Sequence, residues 1–83
     1  MAKQKNTKVV YRKLGKEKAW GIAHIENNKI EIDSRLHTKK HLEIHLHEKL
    51  HLLNPDWSES KILRQSKSLA NYLYQNNFRW CDL

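Results

Sequence analysis

Leu42, Leu46, Leu50 and Leu53 recur at helical spacing, and the pattern halts at Asn54-Pro55. At 100° per residue these leucines span only about 80° of a helix surface, so the segment must lay that stripe on something apolar. The residue before a proline avoids the helical region, which ends this helix near Leu53. It is read from Lys39, with Ser34 or Thr38 as its cap. A second helical pattern follows at once, from Ser58 to Asn76. It places Ile62, Ser66, Leu69, Ala70 and Leu73 inward, and Lys61, Gln65, Lys67 and Asn71 mostly outward. Two amphipathic helices joined by so short a turn must pack back on each other as a hairpin.

Ahead of the helices the periodicity changes from helical to alternating. Val9, Val10, Tyr11 and Leu14 favour a short strand beginning at Lys8 and ending near Gly15. Trp20 to Glu26 and Lys29 to Asp33 then read as a hairpin around a two-residue Asn27-Asn28 turn. That turn sets Glu26 opposite Lys29, Ile25 opposite Ile30, His24 opposite Glu31 and Ala23 opposite Ile32, leaving one apolar and one polar face. The expected fold is therefore α+β: a small antiparallel sheet, built from an N-terminal strand and a hairpin, followed by two packed helices.

With 83 residues the chain makes one domain, read here as residues 8–83 behind a disordered basic arm of residues 1–7. A domain this small buries only about 60% of the surface its unfolded chain exposes, so an extra staple would help it. Disulfides cannot supply one, because Cys81 is the only cysteine, and a lone thiol fits a reducing, cytoplasmic setting. No apolar run approaches the roughly 18 residues of a membrane span, and Met1 to Lys5 lead into no apolar stretch of the secretory kind. The net charge of +7 is all N-terminal: residues 1–40 hold 11 Lys/Arg against 4 Asp/Glu, and residues 41–83 hold 5 against 5. Such an arm attracts phosphate backbones, but no recognition motif accompanies it, and a solvated, solubilising arm is the favoured reading over a nucleic-acid contact.

Within the leucine-striped helix lies His47-Glu48-x-x-His51. Histidines four residues apart sit on one helix face, 40° apart at 100° per residue, and can converge on one zinc ion with Glu48 beside them. A random chain of this composition would hold the motif roughly 3 times in 100. Both histidines also lie along the edge of the leucine stripe, next to Ile44, facing a partly buried cleft. A catalytic zinc keeps three protein ligands and one open position. Glu59, in the first turn of the second helix, is the leading candidate for the third ligand; Asp56 is the alternative, and Glu59 as part of an Asp56-x-x-Glu59 cap is another. Glu48 suits the role of general base, taking a proton from water that the cation acidifies.

His47-Glu48-Lys49-Leu50-His51, with a downstream Glu on a second helix, resembles the zincin metallopeptidases and, within them, the gluzincins. Over about residues 20–75 the order of hairpin, motif helix, turn and Glu-bearing helix is also similar to minigluzincins and to ImmA/IrrE-type proteins of bacteria and phages. The resemblance implies a zinc-dependent peptidase: His47, His51 and the downstream Glu would hold zinc, Glu48 would be the base, and an edge strand would hold a peptide or protein substrate. The spacing to Glu59 is shorter than most gluzincins use, and no metzincin-like third histidine follows.

The remaining candidates have plainer readings. His37, His41 and His45 fall on the side away from the leucines and read as a solvated face. His24 reads as a surface cross-strand partner of Glu31, or as an oxyanion stabiliser if its strand borders the cleft. Tyr72 and Tyr74 read as packing residues, with a contact to the substrate carbonyl as the alternative. Trp20, Trp57 and Trp80 read as packing residues, with Phe78 or Trp80 docked on the core; Cys81 reads as inert rather than as a cap on the zinc. The competing account of the whole chain is a catalytically inactive, zinc-stabilised binding module.

Overall fold

The computed structural model describes residues 6–15 and 19–79, which form β1 (Lys8–Arg12), β2 (Gly21–His24), β3 (Lys29–Asp33), α1 (Thr38–Leu53) and α2 (Glu59–Gln75). The fold is α+β, as its periodicities require. Of the expected arm, residues 1–5 lie outside the described residues, and Thr7 is hydrogen-bonded to Asn28 and to the Lys49 ammonium.

The sheet is mixed rather than wholly antiparallel. Its order is β1-β3-β2, with β2 antiparallel to β3 and β1 parallel to it. The chain leaves the end of β1, crosses the end of the sheet and starts β2 on the far side of β3. The returning β3 then runs the same way as β1. Asp33 holds this crossing together: its carboxylate accepts from the Leu14 amide at 3.1 Å, and its own amide donates to the Trp20 carbonyl at 2.9 Å. Arg35 adds three bonds to the same carboxylate, and Asp33 and Leu14 are both fully buried.

The hairpin register differs from the expected one by two residues. Gly21 faces Ile32, Ile22 faces Glu31, Ala23 faces Ile30 and His24 faces Lys29, so the loop holds four residues, Ile25 to Asn28, not two. Two successive turns close it, from His24 to Asn27 and from Ile25 to Asn28, with Asn28 left-handed at φ 48°. A slip of two preserves every side-chain face. Ala23 and Ile30 therefore still share the inner face, and His24 still reaches Glu31, diagonally, at 2.7 Å.

Ile30 and Ile32 of β3 and Ile62 and Ala70 of α2 form the fully buried core with Leu14. On α2 the inward face is Ile62, Ser66 and Ala70, while Leu69 lies exposed at its flank. Ser58 caps this helix, its hydroxyl accepting from the Lys61 amide at 3.2 Å. The cap of α1 is neither Ser34 nor Thr38: His37 holds the position without a side-chain bond, and the Thr38 hydroxyl donates instead to the His37 carbonyl.

The leucines do not define the buried face of α1. His41, His47 and Glu48 are its buried residues, and Leu53 is 50% exposed. The reason is that α1 lies between two partners. Ile44 and Glu48 press on Gly21 of β2, His41 reaches Tyr11 of β1, and His47 faces α2. His41, expected in solvent, is thus only 5% exposed, with Nε2 3.2 Å from the Tyr11 hydroxyl. Burial, then the charge of His37, pushes its pKa down; burial also lowers that of His45. Phe78 is 57% exposed rather than docked, and Trp80 and Cys81 lie outside the described residues.

Candidate metal centre

The turn after α1 decides what the motif histidines meet. Asn54 closes α1 by donating its amide to the Leu50 carbonyl at 2.8 Å, and the Trp57 amide donates to Asn54 at 3.0 Å. The Lys61 ammonium lies 4.4 Å above the Trp57 ring, fixing the turn against the first turn of α2. This brings Glu59 back over the end of α1. Its Oε1 lies 2.7 Å from His47 Nε2, and its Oε2 lies 2.9 Å from His51 Nε2.

His47, His51 and Glu59 each offer one ligand atom, all within 4.8 Å of one another; they are the one such group of three or more among the described residues. A tetrahedral zinc with bonds near 2.0–2.1 Å needs ligand atoms about 3.3 Å apart, so modest side-chain rotation completes the fit. Two neutral imidazoles and one carboxylate are also the donor types that zinc takes in open sites. Glu59 is 69% exposed, which leaves one side of the group facing solvent. Asp56 is not in the group, and Glu59 makes no capping bond, since Ser58 does that work.

Glu48 lies beside the group and is 8% exposed. Burial, and secondarily the negative charge of Glu59, pushes its carboxyl up to about 7. A base balanced near neutrality is suited to taking up and releasing a proton. Its neighbour across the cleft is Gly21, and the closeness of the two is a feature that the sequence reading passed over. A lone glycine inside a strand pattern was the available signal, since it marks a close backbone approach.

A cleft of about 340 Å³ opens between β2 and α1. Gly21, Ile22, Ala23 and Ile25 form one wall, and His47, Glu48, His51 and Glu59 form the other. β2 is an edge strand. The bond from the Asp33 amide to the Trp20 carbonyl makes that pair a hydrogen-bonded one. By alternation, the free amides and carbonyls of Gly21 and Ala23 then turn away from β3, toward the open edge.

His24 and Tyr72 are not brought into this group. The His24 imidazole is bonded to Glu31, which also accepts from Arg12, on the sheet face away from the helices. Tyr72 is exposed, 13 residues beyond Glu59 and so about 20 Å along α2. Tyr74 stacks under the Arg79 guanidinium at 3.5 Å and lines a separate cavity of about 640 Å³ with Tyr11, His37 and His41. No helix among the described residues is long and apolar enough to cross a membrane. Comparison with protein families, with curated proteins and with solved structures finds no match to this chain.

Proposed function

We propose that this chain is a zinc-dependent metallopeptidase. The observation that carries the reading is the convergence of His47, His51 and Glu59 beside the buried Glu48, at the foot of a free strand edge. His47 and His51 through Nε2, and Glu59 through its carboxylate, would hold the ion. When bound, zinc supplies Lewis acidity, acidifying water and polarising a carbonyl. Glu48 takes the proton from the attacking water on a carboxylate oxygen and delivers it to the leaving amine. The outward amides and carbonyls of Gly21 and Ala23 receive an extended peptide as an added strand. Burial of Glu48 keeps its proton exchange within the cleft. The single thiol, Cys81, supports a cytoplasmic location.

A second reading, a zinc-stabilised binding module without hydrolysis, is favoured by one observation. Among the described residues, those that line the cleft besides Glu48 and the three candidate ligands are Gly21, Ile22, Ala23 and Ile25, none of which has a side chain to donate to a developing oxyanion. The peptidase reading requires that zinc-loaded protein cut members of an unbiased peptide mixture. It also requires that a Glu48→Gln form bind zinc and fail to cut them.

A further inference from the structure

Ser66 is fully buried in the middle of α2, yet it is a polar residue on the face that packs against α1. Its hydroxyl donates to the Leu63 carbonyl at 3.0 Å, the preceding turn of its own helix. The same oxygen lies 3.5 Å from His47 Nδ1, at the long end of hydrogen-bonding distance. His47 is therefore bracketed: Nε2 points at Glu59, and Nδ1 points at Ser66.

From this bracket we infer that Ser66 is the positioning residue of the metal centre, holding the His47 ring so that Nε2 presents its lone pair to a divalent cation. The inference rests on the zinc reading of the site. A neutral imidazole has one protonated and one bare nitrogen. When Nε2 binds a cation, the proton must sit on Nδ1, and that buried N–H needs an acceptor. Ser66 Oγ is the acceptor in reach. Its own hydrogen is already committed to Leu63, so its lone pairs are what face the ring. A hydroxyl can also turn and donate when Nδ1 is bare, so Ser66 serves either tautomer. An alanine serves neither, and would leave one buried nitrogen without a partner. The sequence marked Ser66 only as one of the small inward residues of α2.

The test is zinc affinity, measured by competition with a chromophoric chelator, for the parent, Ser66→Ala and Ser66→Thr. Loss of such an outer partner typically weakens metal binding about 10- to 100-fold, and that loss is expected for Ser66→Ala, with Ser66→Thr within about threefold of the parent because it keeps the hydroxyl. The zinc-loaded parent should also show a His47 Nδ1–H resonance protected from solvent exchange, a signature that a merely space-filling serine would not produce. Ser66→Ala protein that binds zinc as tightly as the parent overturns the inference, as does a His47 Nδ1–H that exchanges as fast as an exposed one. Equal losses in Ser66→Ala and in a Ser66→Thr form that melts at the parent's temperature would also overturn it, since the hydroxyl would then be doing nothing for the metal. A parent that takes up no zinc overturns the site reading, and the inference with it, a result distinct from a zinc-binding parent with an unaffected Ser66→Ala form.

Discussion

Gly21 of β2 passes so close to Glu48 of α1 that a Cβ at Gly21 would lie 2.8 Å from Glu48 Cγ and 3.0 Å from its Oε2. Ile44 Cγ2 lies equally near, at 2.8 Å. Strand edge and Glu48 carboxylate therefore meet at a position that only glycine fits without movement. Gly21→Ala must displace the Glu48 and Ile44 side chains or push β2 away from α1, and overpacking of this kind costs about 1–3 kcal/mol. For a domain of this size each kcal/mol is worth about 4–8 °C, so Tm is expected to fall by at least about 4 °C. An unchanged or higher melting temperature would show that the Glu48 and Ile44 side chains, or the two elements, make room at no cost.

Glu59 and Asp56 flank the same cap, but it is Glu59 that reaches His47 and His51. Glu59→Ala should weaken zinc binding by more than the roughly 10- to 100-fold that losing an outer partner costs, and Asp56→Ala should leave it near the parent value. Ser58→Ala separates capping from ligation, since it should cost about 0.5–2 kcal/mol of stability with zinc affinity intact. Chelator competition on the three variants reads this directly. Normal affinity in Glu59→Ala would remove that residue from the site.

Asp33 should dominate the acid limb of stability. The Arg35 side chain, the Arg35 amide and the Leu14 amide hold its carboxyl well below the usual carboxylate range. Glu31 is lowered too, chiefly by its bond to Arg12. A group depressed in the folded state adds stability that is full above its unfolded pKa, near 3.9 for Asp, and is lost as pH falls through its folded pKa. Melting temperature should therefore drop below about pH 4, and Asp33→Asn should lower it at neutral pH while flattening that acid slope. A slope unchanged in Asp33→Asn would assign acid sensitivity elsewhere.

The helices and the motif were legible because their signals are local. Leucine spacing, the Asn54-Pro55 stop and the i, i+4 histidines each act within a turn or two of helix, and α1 and α2 end within a residue or two of the expected positions. The sheet was legible only in part. Nothing in Lys8–Arg12 tells which way it will run beside β3, because direction follows from where the crossing at Asp33 lands β2. The four-residue hairpin loop was hidden by the alternation itself, since a register slip of two leaves Ala23 and Ile30 on the same face. His41 was misread for a different reason. A helix covered on one side by the sheet and on another by α2 buries residues outside its leucine stripe. Ser66 showed its place but not its partner, because the contact with His47 spans 19 residues.

Glu48→Gln tests the central claim most directly, because it keeps the side chain's size beside Gly21 and removes only the oxygen that, in the proposed mechanism, takes a proton from water. Zinc affinity and Tm should stay close to those of the parent. Peptide hydrolysis by the zinc-loaded protein should fall by the roughly 10²- to 10⁴-fold that a positioned general base contributes, mainly in kcat, since the strand edge proposed to receive substrate is untouched. A Glu48→Gln form that cuts as fast as the parent, or a zinc-loaded parent that cuts nothing in an unbiased peptide mixture, would contradict the peptidase account and leave the zinc-stabilised binding module in its place.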